Sequence, residues 1–160
     1  FEPGRVISGN AGVLVTRVLF VKEGLAKLFC IIDGAMNDLI RPTLYSAHHA
    51  ILPVLEATAA SPHAKMDVVG PICESGDYIA KDRSLPMVGA GDLLAVRTAG
   101  AYAAVMGSTY NTRPLAPEVL VNNDDFAVIR RRFTVEDMLR LENFPDWLED
   151  EPSLRVEGAE

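Results

Sequence analysis

The chain has 160 residues, 49% of them apolar and 23% charged, with a net charge of −7. That is enough for one sizeable core, or one domain and part of another, and it excludes disorder over most of the length. No apolar run approaches ~18 residues, which excludes a membrane-spanning helix. Residues 1–133 carry 13 acidic and 13 basic side chains and residues 134–160 carry nine and two. The body is therefore neutral, the end acidic, and the balance attracts no nucleic-acid backbone.

The chain opens on Phe1-Glu2-Pro3-Gly4-Arg5, without an initiator Met or a charged-then-apolar leader, and so reads as a piece of a longer polypeptide with no signal peptide. A Gly whose N–H can approach an anion, next to an Arg, is the minimum for holding a phosphate; an ordinary turn followed by a surface Arg has the same residues. Gly9 and Gly12 read as a hinge or linker into the next domain. Residues 13–20 are strand formers, and Lys22-Glu23-Gly24 turns the chain. Residues 28–32 are continuously apolar, which predicts a strand buried on both faces with Cys30 inert inside it. Residues 35–40 suit one helical turn ending before Arg41-Pro42, because Pro disfavours a helical residue ahead of it. Arg41 and Tyr45 then lie four apart in a loop, equipped to grip a carboxylate or phosphate. Adjacent His48 and His49 point to opposite faces of an extended chain and cannot readily chelate one metal; both read as structural or solvated.

Residues 51–54 predict an edge strand, since Pro53 cannot donate to a central ladder. Residues 57–65 form a small, polar loop, and 66–69 a short strand feeding Gly70-Pro71-Ile72-Cys73-Glu74-Ser75-Gly76-Asp77. There a thiol that can deliver a proton stands beside a carboxylate that can hold a cation. A half-buried Cys next to a solvated Glu has the same sequence. Residues 92–97 predict a strand, and 118–130 a strand, turn and strand ending in a solvated Arg130-Arg131-Arg132. Thr134-Val135-Glu136-Asp137 is a capping-box start for a helix that fades before Pro145, with the acidic end frayed beyond Trp147. Short strands between turn signals predict a mainly β domain, a sandwich or barrel. Two distant cysteines imply neither a disulfide framework nor a metal site and fit a reducing cytoplasm. The residues by themselves leave two readings open: a binding module, or part of an enzyme.

Four stretches occur in order: Glu2-Pro3-Gly4-Arg5, Arg41-Pro42-Thr43-Leu44-Tyr45, the Gly70–Asp77 loop, and Gly100-Ala101-Tyr102 with Tyr110-Asn111-Thr112-Arg113-Pro114. Together they resemble the carboxy-terminal part of the diaminopimelate decarboxylase family, pyridoxal 5′-phosphate enzymes of the alanine-racemase-like fold type. The resemblance implies a (β/α)8 barrel upstream of residue 1, with residues 1–12 its last strand and loop. It implies a β-sandwich or Greek-key barrel over 13–133, a closing helix over 134–144 and an acidic tail over 145–160. It further implies decarboxylation of meso-diaminopimelate to L-lysine, the last step of lysine biosynthesis. In that scheme Cys73 donates the proton and Glu74 holds the distal ammonium. Arg5, Arg41 and Tyr45 bind substrate, and Tyr102 touches cofactor and substrate. Glu2, Pro3, Gly4 and Arg5 hold the cofactor phosphate. The lysine that anchors the cofactor would lie upstream, so this piece by itself would be inactive. The Cys-Glu loop would reach the partner's site in a homodimer. Ornithine and arginine decarboxylases share the architecture but typically carry Cys-Asp in that loop, and a non-catalytic β module is the further alternative.

Overall fold

Alternation along the first strand sets the core. In β1 (Val13–Glu23), Leu14, Thr16 and Val18 turn inward while Val13, Val15 and Arg17 face out, the period-two pattern of a half-buried strand. The register with β2 (Leu28–Ile32) shifts between Val18 and Phe20. This bulge reverses the phase, so that Val21 rather than Phe20 packs on the core. Lys22 and Glu23 belong to β1 and not to the turn, because they pair with Phe29 and Leu28.

A computed structural model describes residues 1–56 and 61–149. The chain divides into two units, Phe1–Ala116 and Pro117–Glu160. In the first, β3 (Ile51–Pro53), β4 (His63–Val69), β5 (Tyr78–Pro86) and β6 (Leu93–Arg97) join β1 and β2 in a six-stranded sheet of order β3-β6-β1-β2-β4-β5. Pro53 is at the edge, as its missing N–H requires. The edge strands β3 and β5 approach one another and the sheet curls into a nearly closed barrel, the mainly β architecture expected. Its interior is filled by Val18, Cys30, Ile32, Met66, Val68, Ile79, Leu94 and Val96. The strand β4 begins earlier than the polar composition of 57–65 suggests, since His63, Ala64 and Lys65 pair with Pro86, Leu85 and Ser84. Residues 57–60 of that loop lie outside the described residues.

Two further expectations are corrected. Arg41 and Tyr45 are not in a loop but on a short helix, α1 (Arg41–Tyr45), with Pro42 in its first turn, where a missing N–H costs nothing. The helix closes on Ser46 in the left-handed region. Gly9 and Gly12 are not a free hinge. The Ala99 and Gly100 amides donate to the Gly12 and Gly9 carbonyls at 2.9 and 3.0 Å, and a Cβ on Gly100 would stand 2.0 Å from the Ser8 carbonyl oxygen. Only glycine lets these two backbones meet.

The second unit is a hairpin of β7 (Glu118–Asn122) and β8 (Asp125–Arg130), then α2 (Val135–Leu139) and α3 (Asp146–Glu149). The capping box is present: Thr134 Oγ1 accepts from the Asp137 amide and the Asp137 carboxylate from the Thr134 amide. Arg131 is not simply solvated. Both its terminal nitrogens donate to Asp137, and this, with the Thr134 amide, holds the Asp137 carboxyl well below the usual range. The helix is shorter than the 134–144 expected, ending at Leu139, and Trp147 lies in α3. Residues 150–160 of the acidic tail lie outside the described residues.

Leu94 is fully buried and Leu25 fully exposed. Leu94→Ala is expected to cost roughly 2–5 kcal/mol by denaturant midpoint, and Leu25→Ala less than about 0.5 kcal/mol; equal losses would mean that this barrel is not the core.

Candidate functional site

β2 and β4 are parallel neighbours, Leu28 to Ile31 facing Met66 to Val69, and β6, like β2, runs antiparallel to β1. The chain therefore leaves β2, β4 and β6 at the same end of the barrel at which it enters β1 and β5. Residues 1–12, 33–50, 70–77 and 98–116 all belong to that end, and they hold every stretch singled out from the sequence.

The carboxylate of Asp77, 4% exposed, shapes the 70–77 loop. Its Oδ2 accepts from the Ile72 amide at 2.7 Å and its Oδ1 from the Met36 amide, in the neighbouring loop, also at 2.7 Å. Gly70 donates to the Asp77 carbonyl, and a Cβ on Gly70 would stand 2.4 Å from the Asp77 carboxylate. Thr43 of α1 donates to the Gly76 carbonyl at 2.5 Å. The loop is thus pinned to the segment that carries Arg41 and Tyr45. On it Cys73 and Glu74 are exposed, and one Glu74 oxygen accepts from the Gly76 amide at 3.2 Å. Cys30 differs in kind: burial pushes its thiol up to about 11.

On α1, Arg41 and Tyr45 are one turn apart, the guanidinium 6.0 Å from the ring centroid. Arg41 Nη1 lies 3.3 Å from His49 Nε2. Arg5 is half-buried, its side chain packed on Gly9, and its charge reaches His49. Neither Arg5 nor Arg41 has a carboxylate partner among the described residues, whereas Arg113 and Arg131 each have one. The Nε of both Arg5 and Arg41 is buried without a hydrogen bond among those residues. Two cations held this way leave an anion-binding capacity unfilled. Tyr102 has a φ of 57°, unusual for a bulky residue. It meets the amino-terminal segment, since a Cβ on Gly4 would lie 3.2 Å from its Oη. The contacts thus join Gly4 with Tyr102, Arg5 and Arg41 around His49, and the Cys73–Glu74 loop with α1.

The profile of the pyridoxal-dependent decarboxylase C-terminal sheet domain matches residues 6–100. The chain belongs to that family. It is 49% identical over 148 residues to diaminopimelate decarboxylase of Zymomonas mobilis, covering 92% of this chain and 34% of the relative. To diaminopimelate decarboxylase of Pseudomonas aeruginosa it is 54% identical over 138 residues, covering 86% and 32%. Diaminopimelate decarboxylase from Helicobacter pylori complexed with L-lysine, a solved structure, superposes with a TM-score of 0.79 at 44% identity, over 88% of this chain and 34% of that one. The chain spans about a third of the length of these relatives.

Three of the four residues that organise this end carry little or no mark in the sequence. His49 and Thr43 give no local signal, because each acts on a partner distant along the chain. Asn37, buried, donates to the Ser108 and Tyr110 carbonyls and so docks the 108–113 stretch. Asp77 does have a signal, an Asp closing a glycine-bounded loop, the residue type that accepts its own loop's amides.

Asp77→Ala leaves the buried Ile72 amide and the half-buried Met36 amide unpaired. It is expected to cost roughly 2–4 kcal/mol and to increase hydrogen exchange at Ile72 and Met36; unchanged exchange there would remove its organising role. With a disulfide reagent, mass mapping should find Cys73 modified under native conditions and Cys30 only after denaturation. Equal rates would contradict the burial of Cys30.

Proposed function

We propose that this chain is the carboxy-terminal part of a pyridoxal 5′-phosphate-dependent diaminopimelate decarboxylase, forming L-lysine from meso-diaminopimelate. The observation that carries the reading is the pair Arg5 and Arg41, without a carboxylate partner among the described residues, at the barrel end that also presents Cys73 and Glu74. A substrate end bearing both an ammonium and a carboxylate needs both kinds of partner. A distal amine without a carboxylate, as in ornithine, would leave the two arginines unused.

The amino-terminal segment suits the cofactor. Gly4 has no side chain between its backbone and the Tyr102 hydroxyl, and Ile7 turns back to donate to its carbonyl at 3.1 Å. The backbone from Glu2 through Pro3 and Gly4 to Arg5 would hold the phosphate, with Gly4 allowing close approach, and Tyr102 would stand against the ring. When bound, pyridoxal phosphate supplies the electron sink that lets CO2 depart. This chain's own residues bind the distal end of the substrate and supply the proton. Arg41 and Arg5 hold the distal carboxylate, with Tyr45 beside Arg41. The Glu74 oxygen not engaged by Gly76 holds the distal ammonium. Cys73, on a loop braced by Asp77, delivers the Sγ proton to the carbon that has lost CO2. The thiolate left behind regains a proton before the next turnover. The exposure of Cys73 and Glu74 fits sites completed across a homodimer in the cytoplasm.

The test uses the holoenzyme that contains this chain. Cys73→Ala is expected to lower kcat on meso-diaminopimelate by roughly 10²–10⁴-fold with cofactor absorbance retained. Unchanged turnover would exclude Cys73 as the donor, and no decarboxylation by the parent would exclude the reaction. Mixing Cys73→Ala subunits with subunits lacking the cofactor-anchoring lysine should restore part of the activity. Heterodimers with none would mean self-contained sites.

A further inference from the structure

His49 is 1% exposed, and the mechanism above does not use it. Its Nδ1 lies 2.9 Å from the Arg97 carbonyl oxygen, at the end of β6. A carbonyl only accepts, so Nδ1 must carry the hydrogen. A guanidinium only donates, so Nε2, 3.3 Å from Arg41 Nη1, must be the bare, accepting nitrogen. One protonation state satisfies both neighbours: the neutral ring with its hydrogen on Nδ1. The backbone around it is fixed. Arg83 Nη1 of β5 donates to the His49 carbonyl at 2.7 Å, and the Arg97 amide donates to the Ala50 carbonyl at 2.8 Å.

We propose that neutral His49 is a positioning residue for the substrate-binding Arg41, aiming its guanidinium at the distal carboxylate, and that protonation of His49 releases that aim and weakens carboxylate binding. The proposal rests on the reading of Arg41 as a carboxylate ligand. A second hydrogen, on Nε2, would face the Arg41 donor with no acceptor between them and would put a charge against a charge. The groups that bear on the ring are Arg41 from α1, Arg5 from the amino-terminal segment, His48 alongside, and the Arg97 carbonyl from β6; the Arg83 guanidinium of β5 stands on the His49 carbonyl. Burial lowers the ring's proton affinity most; the Arg97 carbonyl opposes this, and Arg41, Arg5 and His48 lower it further. The ring therefore takes up its proton at lower pH than an ordinary histidine does. Over that acid interval the unfolded chain binds the proton more readily than the folded one, so stability also falls as the pH drops.

The two probes are L-lysine, which carries the carboxylate, and cadaverine, which is L-lysine without it. Each is titrated calorimetrically into the holoenzyme between pH 5 and 8. For the parent, L-lysine affinity is expected to fall about tenfold more than cadaverine affinity towards pH 5. His49→Asn keeps an N–H for Arg97 and loses the acceptor for Arg41. It should weaken L-lysine about tenfold at pH 8, leave cadaverine within about twofold, and abolish the acid fall. His49→Gln, which can place an oxygen near the Nε2 position, should recover part of the L-lysine affinity; His48→Ala should keep the selective acid fall of L-lysine, moved towards higher pH because one charge beside the ring is gone. Equal losses for both probes in His49→Asn, or an acid fall that survives the substitution, overturn the proposal. Should His49→Asn not fold, the parent decides: parallel pH profiles for L-lysine and cadaverine overturn it. A parent that binds cadaverine but not L-lysine at any pH overturns the carboxylate reading of Arg41 as well, which separates the two failures.

Discussion

The parallel pairing of β2 and β4 is the constraint on which the candidate site depends. Two parallel neighbours cannot be joined by a tight turn, so the chain must make a long crossover between them. That crossover, residues 33–62, carries α1 with Arg41 and Tyr45, then His49, then β3. Because the strands run the same way, the crossover leaves β2 beside the point where the Cys73 loop leaves β4. Had the pair been antiparallel, the two loops would stand at opposite ends of the barrel. The separation between residue 41 and residue 73 along the chain is closed by strand direction before any side chain acts.

Asp77 converts that neighbourhood into a defined arrangement. Its two oxygens take an amide from each loop, and a carboxylate is the side chain that can accept on both sides at once. Gly70 and Gly76 let the backbone close around it and around Thr43, since a Cβ on Gly76 would meet the Thr43 methyl at 2.8 Å. The thiol and carboxylate of Cys73 and Glu74 are left outward by this bracing. On the far side of α1 the electrostatics are reversed. Arg5, Arg41 and His49 come together without a balancing carboxylate among the described residues, an arrangement that favours the folded state least when it is empty and most when an anion is present. A neutral imidazole is the one ring state that can stand in that cluster without adding to its charge.

Much of the barrel is legible locally. The period of β1, the continuous apolar run of β2, the edge character given by Pro53, the inert Cys30 and the capping box at Thr134 are each decided by residues within a few positions of one another. The four ordered stretches are legible in the same way, as strings, and they lead to the right family. The misreadings share one cause, a local rule applied without its three-dimensional context. Arg41–Tyr45 reads as a loop because proline disfavours a helical residue before it, yet Pro42 stands in the first turn, where that rule does not end a helix. Lys22 and Glu23 read as a turn because they are charged, yet their partners in β2 extend the strand past them.

The sequence by itself determined where most of the strands lie (though not β5), which cysteine would be buried and which reactive residue types were available, because propensity, periodicity and turn chemistry act over a few residues. Only the tertiary structure decided which of those residues meet. The bulge in β1, the docking of Gly9 and Gly12 on Gly100, the bracing by Asp77 and the contact of His49 with Arg41 each join positions brought together by strand order and direction. Hydrogen bonds and steric contacts act over a few ångströms in space, and a linear string records nothing of that distance until the sheet has closed.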